Sequence, residues 1–149
     1  MSPTLGPAFA TTPAIRYTHA IPCLSYERAH DAIRWLLDVF GAEARHVYEG
    51  PGDTVAHAEL WFGDACVMCG SLSDRGFPPT VPGESSIYVV VSSTEAVDAL
   101  HARAVEAGAR IAYGPRDTDY GSHDFGCLDL EGNFWGFGTY APAGRTEGG

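Results

Sequence analysis

Apolar and polar residues recur along the chain with two different periods. A period of two predicts a β-strand, because successive strand side chains point to opposite faces, whereas spacings of three and four predict an amphipathic helix. Both patterns occur in the same order in the two halves of the sequence. The first half predicts a strand at 17–26, a helix at 27–40 and strands at 42–49, 54–62 and 65–72. The second half predicts a strand at 86–92, a helix at 95–107 and strands at 110–113, 122–130 and 134–140.

Short stretches of sequence repeat together with these elements. The helix-to-strand joint VFGA at 39–42 matches EAGA at 106–109, and the hairpin LWFGDACVM at 60–68 matches LDLEGNFWGF at 128–137. A repeated unit of this size indicates that one supersecondary motif occurs twice. The sequence therefore predicts an α+β fold built from two βαβββ modules.

The predicted organisation has five parts. Prolines and small residues dominate the N-terminal segment, and SDRGFPPTVPGES between the modules excludes regular structure. The parts are a flexible N-terminal arm at 1–14, the first module at 15–73, a Pro/Gly linker at 74–85, the second module at 86–140 and a flexible tail at 141–149.

Charge limits the partners of this chain. It has 149 residues, 45% of them hydrophobic, and a formal net charge of -10. Such a surface repels phosphate backbones and anionic lipid, so we expect neither a nucleic-acid nor a membrane partner. No run of about 20 apolar residues predicts a membrane span, and the N-terminal residues lack the pattern of a signal peptide. We therefore expect a cytoplasmic protein with a neutral or cationic small-molecule ligand.

Two of the four cysteines, Cys66 and Cys69, have the CxxC spacing of metal and redox sites. They lie in the apolar run ACVMC, which predicts a strand, and strand positions three apart point to opposite faces. Free thiols packed as small hydrophobic groups therefore fit this context better than a zinc site or a disulfide.

The duplicated βαβββ order and the sequence DLEGN at 129–133 resemble the glyoxalase/bleomycin-resistance/extradiol-dioxygenase superfamily, also called vicinal oxygen chelate proteins. The resemblance extends over about 15–140. It implies a cupped mixed sheet from each module, a ligand pocket inside the cup, and usually a homodimer. Whether the modules pair within one chain or swap between subunits stays open, and a shared fold does not fix an activity.

Enzymes of this family commonly hold one divalent metal, with ligands on the first and last strands of each module. The last-strand position, four residues after the hairpin glycine, is Gly136 in the second module and Val67 or Met68 in the first. The first-strand positions are Ile21 and, in the second module, Ser86 or Tyr88. Since a catalytic metal needs about three protein donors, we expect no metal cofactor at these positions.

Other residues keep an alternative chemistry open. His57 and Glu59 share one strand face, where they are a metal or acid/base pair, a pocket wall, or a solvent-facing pair. His123 and Asp124 are neighbours on a strand, so one of them faces the cup. If it is His123, the imidazole is a candidate catalytic general base; a rim histidine without catalytic role is the alternative. An unconventional divalent-metal site would use His57, Glu59 and His123.

Aromatic residues on predicted strands either pack in the core or line the cup. Those that face the cup would bind a flat or cationic ligand. The candidate ligand-binding residues are His57, Glu59, Trp61, Tyr88, Tyr120, His123, Phe125 and Trp135.

Two functions follow as hypotheses. The first is a metal-free binding protein that sequesters a flat or cationic small molecule. The second is an enzyme of the same fold, of the lyase, isomerase or dioxygenase type, that uses a divalent metal or a histidine acid/base. The sequence identifies neither the ligand nor the reaction.

Overall fold

The computed structural model describes residues 14–73 and 80–142. Most of the predicted arm, part of the linker and most of the tail lie outside these ranges. The elements of the first module are β1 (Cys23–Tyr26), α1 (Ala29–Phe40), β2 (Glu43–Glu49), β3 (Val55–Phe62) and β4 (Ala65–Ser71). Those of the second are β5 (Ser86–Val90), α2 (Thr94–Glu106), β6 (Arg110–Asp117), β7 (His123–Leu128) and β8 (Phe134–Gly138).

The strands form two four-stranded sheets with the same topology. Their orders are β1-β4-β3-β2 and β5-β8-β7-β6. The first strand of each module runs parallel to the last one, while the other neighbours are antiparallel. The predicted α+β fold of two βαβββ modules with mixed sheets is therefore confirmed.

Most strand boundaries lie within two residues of the prediction, and two differ by four or more. The first strand, expected at 17–26, begins only at Cys23, directly after Pro22, whose ring nitrogen has no hydrogen to donate to a ladder. The strand expected at 110–113 continues to Asp117 through Pro115. Pro115 lies at a register shift between Tyr113 and Arg116 on an edge strand, and both edge strands and bulges tolerate proline.

The helices cover one face of each sheet and bury a core that the two modules share. Phe40, at the end of α1, packs on Trp135 and Phe137 of β8 with ring centroids 5.5 and 4.6 Å apart. Phe62 of β3 also meets Trp135, at 5.4 Å. Burial of such large side chains contributes roughly 1.5–3 kcal/mol each. Aromatic packing thus joins the first module to the second.

The DLEGN hairpin between β7 and β8 adds polar links between the modules. The buried carboxylate of Asp129 accepts a hydrogen bond from the Tyr26 hydroxyl at 2.7 Å. The Glu131 carboxylate accepts from the backbone N–H groups of Glu27 and Arg28, at 2.8 and 2.9 Å, just before α1. The side chain of Arg28, the N-cap residue of α1, makes no capping hydrogen bond of its own. A hairpin of the second module therefore caps the helix of the first.

Candidate functional site

Each sheet has a helix-covered face and an open face, and strand alternation assigns side chains to them. On β3, Ala58 and Leu60 are fully buried on the helix side, whereas His57, Glu59 and Trp61 are half-buried on the other side. The open face of the first sheet therefore carries all three of the residues that the sequence selected on this strand.

A pocket of about 620 Å³ lies on the open face of the first sheet, and its lining includes Cys23, Ser25, His57 and Met68. His57 is the one predicted ligand-binding residue in this lining. Glu59 and Trp61 lie beside it on the same face, where the indole Nε1 donates to the carboxylate at 3.2 Å. These contacts give the first sheet a mixed polar and sulfur-rich surface.

The open face of the second sheet is built from glycines with aromatic rings lying over them. A Cβ at Gly126 would come within 2.6 Å of the Phe134 ring and within 2.9 Å of Tyr113. At Gly136 it would come within 3.1 Å of Phe134 and 3.2 Å of Tyr88. Only glycine allows this close approach. Because Gly126 and Gly136 have no side chains, the rings of Phe134, Tyr113 and Tyr88 can lie directly against the backbone of the sheet.

Tyr88 belongs to a hydrogen-bonded cluster on this face. Its hydroxyl donates to Asp124 Oδ1 at 3.0 Å and accepts from the backbone N–H of Tyr140 at 3.2 Å. The Ser122 hydroxyl donates to the same carboxylate, which is buried. Burial raises the pKa of the Tyr88 phenol, and the hydrogen bond to Asp124 adds to the rise. Tyr88, Tyr120 and Tyr140 line an open pocket of about 560 Å³ above this cluster.

Of the two neighbours His123 and Asp124, His123 is the one that lies on the helix side of the second sheet. Its Nε2 is 2.7 Å from Asp98 of α2 and its Nδ1 is 2.8 Å from Asp117 of β6. These hydrogen bonds, the one to Asp98 first, raise the pKa of His123. The neighbour Asp124 takes the open face instead. The imidazole fixes a helix to its sheet and does not reach the pocket.

Phe125 and Trp135 do not line a pocket either, because both are fully buried on the helix side with His101 and Phe40 as ring neighbours. Phe125 and Cys127 are apolar residues two positions apart on β7, and this alternation is the sequence signal for the strand face that packs under the helix. His123 lies on the same face. The sequence left open which of His123 and Asp124 faces the cup, and it gave no signal that Tyr140, just after β8, belongs to the site.

The positions at which the family resemblance would place metal ligands carry groups that do not fit a hard divalent ion. Met68 of β4 lies beside Cys23 of β1, and Tyr88 of β5 lies beside Gly136 of β8. Val67 is buried under the helix and Ile21 lies before β1. Thiol, thioether and phenol groups are not the carboxylate and imidazole ligands that such ions prefer.

Nor do His57, Glu59 and His123 come together, since the first two lie on β3 and the third on the other sheet. Within residues 14–73 and 80–142, no three His, Cys, Asp or Glu side chains form a group that could hold a metal.

The cysteines confirm the prediction of free thiols. All four are unpaired with each other, and Cys69 is buried while Cys66 lies on the opposite, open face. Burial raises the pKa of Cys69 and of Cys127 to about 12. Both are therefore protonated at neutral pH and poor nucleophiles.

No helix in the described part of the chain is long and apolar enough to cross a membrane.

Comparisons with known proteins agree with this geometry. Solved structures with the same fold include TioX from Micromonospora sp. ML1, which is 26% identical, has a TM-score of 0.66, and matches over 86% of this chain and 100% of its own. Lactoylglutathione lyase from Agrobacterium tumefaciens is 19% identical with a TM-score of 0.63, over 83% of this chain and 95% of its own.

A glyoxylase/bleomycin resistance protein/dioxygenase domain from Frankia sp. EAN1pec is 15% identical with a TM-score of 0.68, over 85% of this chain and 100% of its own. A search of curated protein sequences finds no match. The profile of one family matches residues 17–137, which is most of the chain. With its fold and duplicated modules, the chain belongs to the Glyoxalase/Bleomycin resistance protein/Dioxygenase superfamily.

Proposed function

We propose that this protein binds a flat, neutral or cationic small molecule on the open faces of its sheets, without the divalent metal centre common in its superfamily. The observation that carries the proposal is the second sheet's open face, where Tyr88, Tyr113 and Phe134 lie over glycines. Such a surface offers ring faces for stacking. Gly136 occupies the position at which the family resemblance would place a metal-ligating carboxylate. Since glycine has no side chain, the ring of Tyr88 on the neighbouring strand lies close to this position.

The protein would act as a homodimer. Each pocket is lined by one module only, the first by residues between Cys23 and Ser73 and the second by Tyr88, Tyr120 and Tyr140. Each open face is therefore half of a cup, and a second copy would supply the opposite wall.

The cytoplasm is the compartment that we propose for this binding function. Four free thiols suit a reducing environment. A net charge of -10 favours cationic ligands over anionic ones and disfavours nucleic acid.

Two planar three-ring dyes of opposite charge test the proposal, proflavine as the cation and resorufin as the anion. We expect proflavine to bind with a micromolar Kd by fluorescence titration, and resorufin to bind at least tenfold more weakly. Phe134→Ala should weaken proflavine binding about tenfold, because it removes the ring that lies over Gly126 and Gly136. Tyr17→Ala removes an exposed aromatic outside both pockets and should leave the Kd unchanged.

Metal content distinguishes the proposed metal-free binding protein from a metal-dependent enzyme. The protein is purified without a tag or chelator, loaded with nickel, manganese, zinc and iron(II), and analysed by elemental mass spectrometry. We expect far less than one metal per chain after gel filtration. About one metal per chain, together with no difference between the two dyes, would overturn the binding proposal in favour of a metal-dependent enzyme.

A further inference from the structure

We propose that Tyr88, Tyr120 and Tyr140 form a binding site for the ammonium group of an organic cation, with the carboxylate of Asp124 behind it. We call these three residues the tyrosine pocket. The inference rests on the proposed small-molecule binding and names the class of ligand: an amine or quaternary ammonium compound whose cationic end enters this pocket.

The arrangement of the rings fits a cation. Tyr120 and Tyr140 meet at right angles, with centroids 5.6 Å apart and an interplanar angle of 88°. All three rings are open to solvent, with exposed fractions of 62% for Tyr120, 45% for Tyr140 and 40% for Tyr88. Rings that enclose a corner present their electron-rich faces to a group in that corner, as in the aromatic cages that bind quaternary ammonium groups.

A buried carboxylate strengthens this field. Asp124 is 4% exposed, and it accepts hydrogen bonds from the hydroxyl groups of Tyr88 and Ser122. Because the Tyr88 hydroxyl donates a hydrogen bond to a carboxylate, its phenol oxygen and ring become more electron-rich. The ion pairs among the described residues do not include Asp124. Its cross-strand neighbour Arg116 lies over the ring of Tyr113 instead, so a cation bound in the tyrosine pocket would supply an ionic partner for the carboxylate.

The charged residues around the tyrosine pocket also favour a cationic ligand. Tyr120 follows the exposed Asp119 in the loop between β6 and β7, and the whole chain has a net charge of -10. On the neighbouring strand β6, the guanidinium carbon of Arg116 lies 3.9 Å from the ring centroid of Tyr113. A ring of this open face thus already carries a cation, which shows that the surface suits cation–π contacts.

An isosteric pair of ligands separates charge from shape. Choline and 3,3-dimethylbutan-1-ol differ in one atom, a quaternary nitrogen in place of a carbon, and both dissolve well in water. Each is titrated into the full chain while the ring signals of the tyrosines are followed by NMR. We expect choline to shift the signals of the tyrosine pocket and to bind at least tenfold more tightly than the alcohol.

Variants then measure how much the charge of Asp124 and the ring of Tyr120 each contribute to choline binding. Asp124→Asn keeps the shape and an acceptor for Tyr88 but removes the charge, and it should weaken choline binding severalfold without changing the weak binding of the alcohol. Tyr120→Leu, at an exposed position where folding is not at risk, should weaken choline binding about tenfold. Tyr17→Leu is the matched control, an exposed tyrosine outside the pocket, and should have no effect.

Equal affinities for choline and the alcohol, or shifts confined to residues outside the tyrosine pocket, would overturn this inference. So would choline binding that Tyr120→Leu leaves intact. If these results occur while proflavine still binds in a Phe134-dependent manner, the ammonium site is wrong and the proposed function stands. Loss of proflavine binding as well would remove both.

Discussion

At the residue scale, Asp129 is the buried group with the most side-chain and backbone partners in the DLEGN hairpin. It accepts from the Tyr26 hydroxyl, the Trp135 indole, the Asn133 amide and the backbone N–H groups of Glu131 and Asn133, at 2.7–3.0 Å. Asp129→Ala would leave buried donors without an acceptor, and each costs about 1–3 kcal/mol. We expect a loss of about 3–5 kcal/mol in the free energy of unfolding, measured by urea denaturation.

Asp64→Ala is the matched control for that measurement, because Asp64 occupies the corresponding hairpin of the first module and is exposed. It should change stability by less than about 0.5 kcal/mol. A loss of less than 1 kcal/mol for Asp129→Ala would show that water replaces the carboxylate in the hairpin.

The sequence identified this hairpin but not its partners. A pattern of turn residues is local, and it predicted the chain reversal at Gly132, which has a positive φ of 97°. The bond from Tyr26 spans 103 positions, and the cap from Glu131 to Arg28 spans the same number. Such contacts depend on how two modules pack. The pocket of Tyr88, Tyr120 and Tyr140 likewise joins residues that are far apart in the sequence, so it could be predicted only as a class of site.

At the element scale, His123 holds α2 against β6 and β7 through Asp98 and Asp117. Its pKa is raised in the folded state, so the stabilisation is fully present below the unfolded value of about 6.5 and is lost as pH rises through the folded value. The difference in Tm between the wild type and His123→Asn should therefore be largest near pH 6 and shrink towards pH 9.

Differential scanning fluorimetry across that range measures the effect. His19→Asn changes an exposed histidine ahead of β1, and this control should change Tm only slightly. A constant difference for His123→Asn would mean that the imidazole acts by packing rather than by its charge.

At the scale of the whole molecule, contacts between the modules predict a single cooperative unit. Besides the DLEGN hairpin and the packing of Phe40, the guanidinium of Arg103 in α2 donates to the carbonyl of Asp38 at the end of α1, at 2.9 Å. That contact places a cation at the negative end of the helix. Neither module has a core that is complete without the other, because Phe40 and Trp135 bury each other's rings.

Unfolding should therefore be seen at the same denaturant concentration from either module. In the unmodified chain, the indole Nε1–H signals of Trp61 in the first module and Trp135 in the second report the modules separately when urea unfolding is followed by NMR. We expect coincident midpoints and equal slopes at matched protein concentration, the signature of a two-state transition. If the Trp61 signal changed at lower urea than the Trp135 signal, the first module would unfold while the second stayed folded. The aromatic contact through Phe40 would then contribute less than its burial indicates.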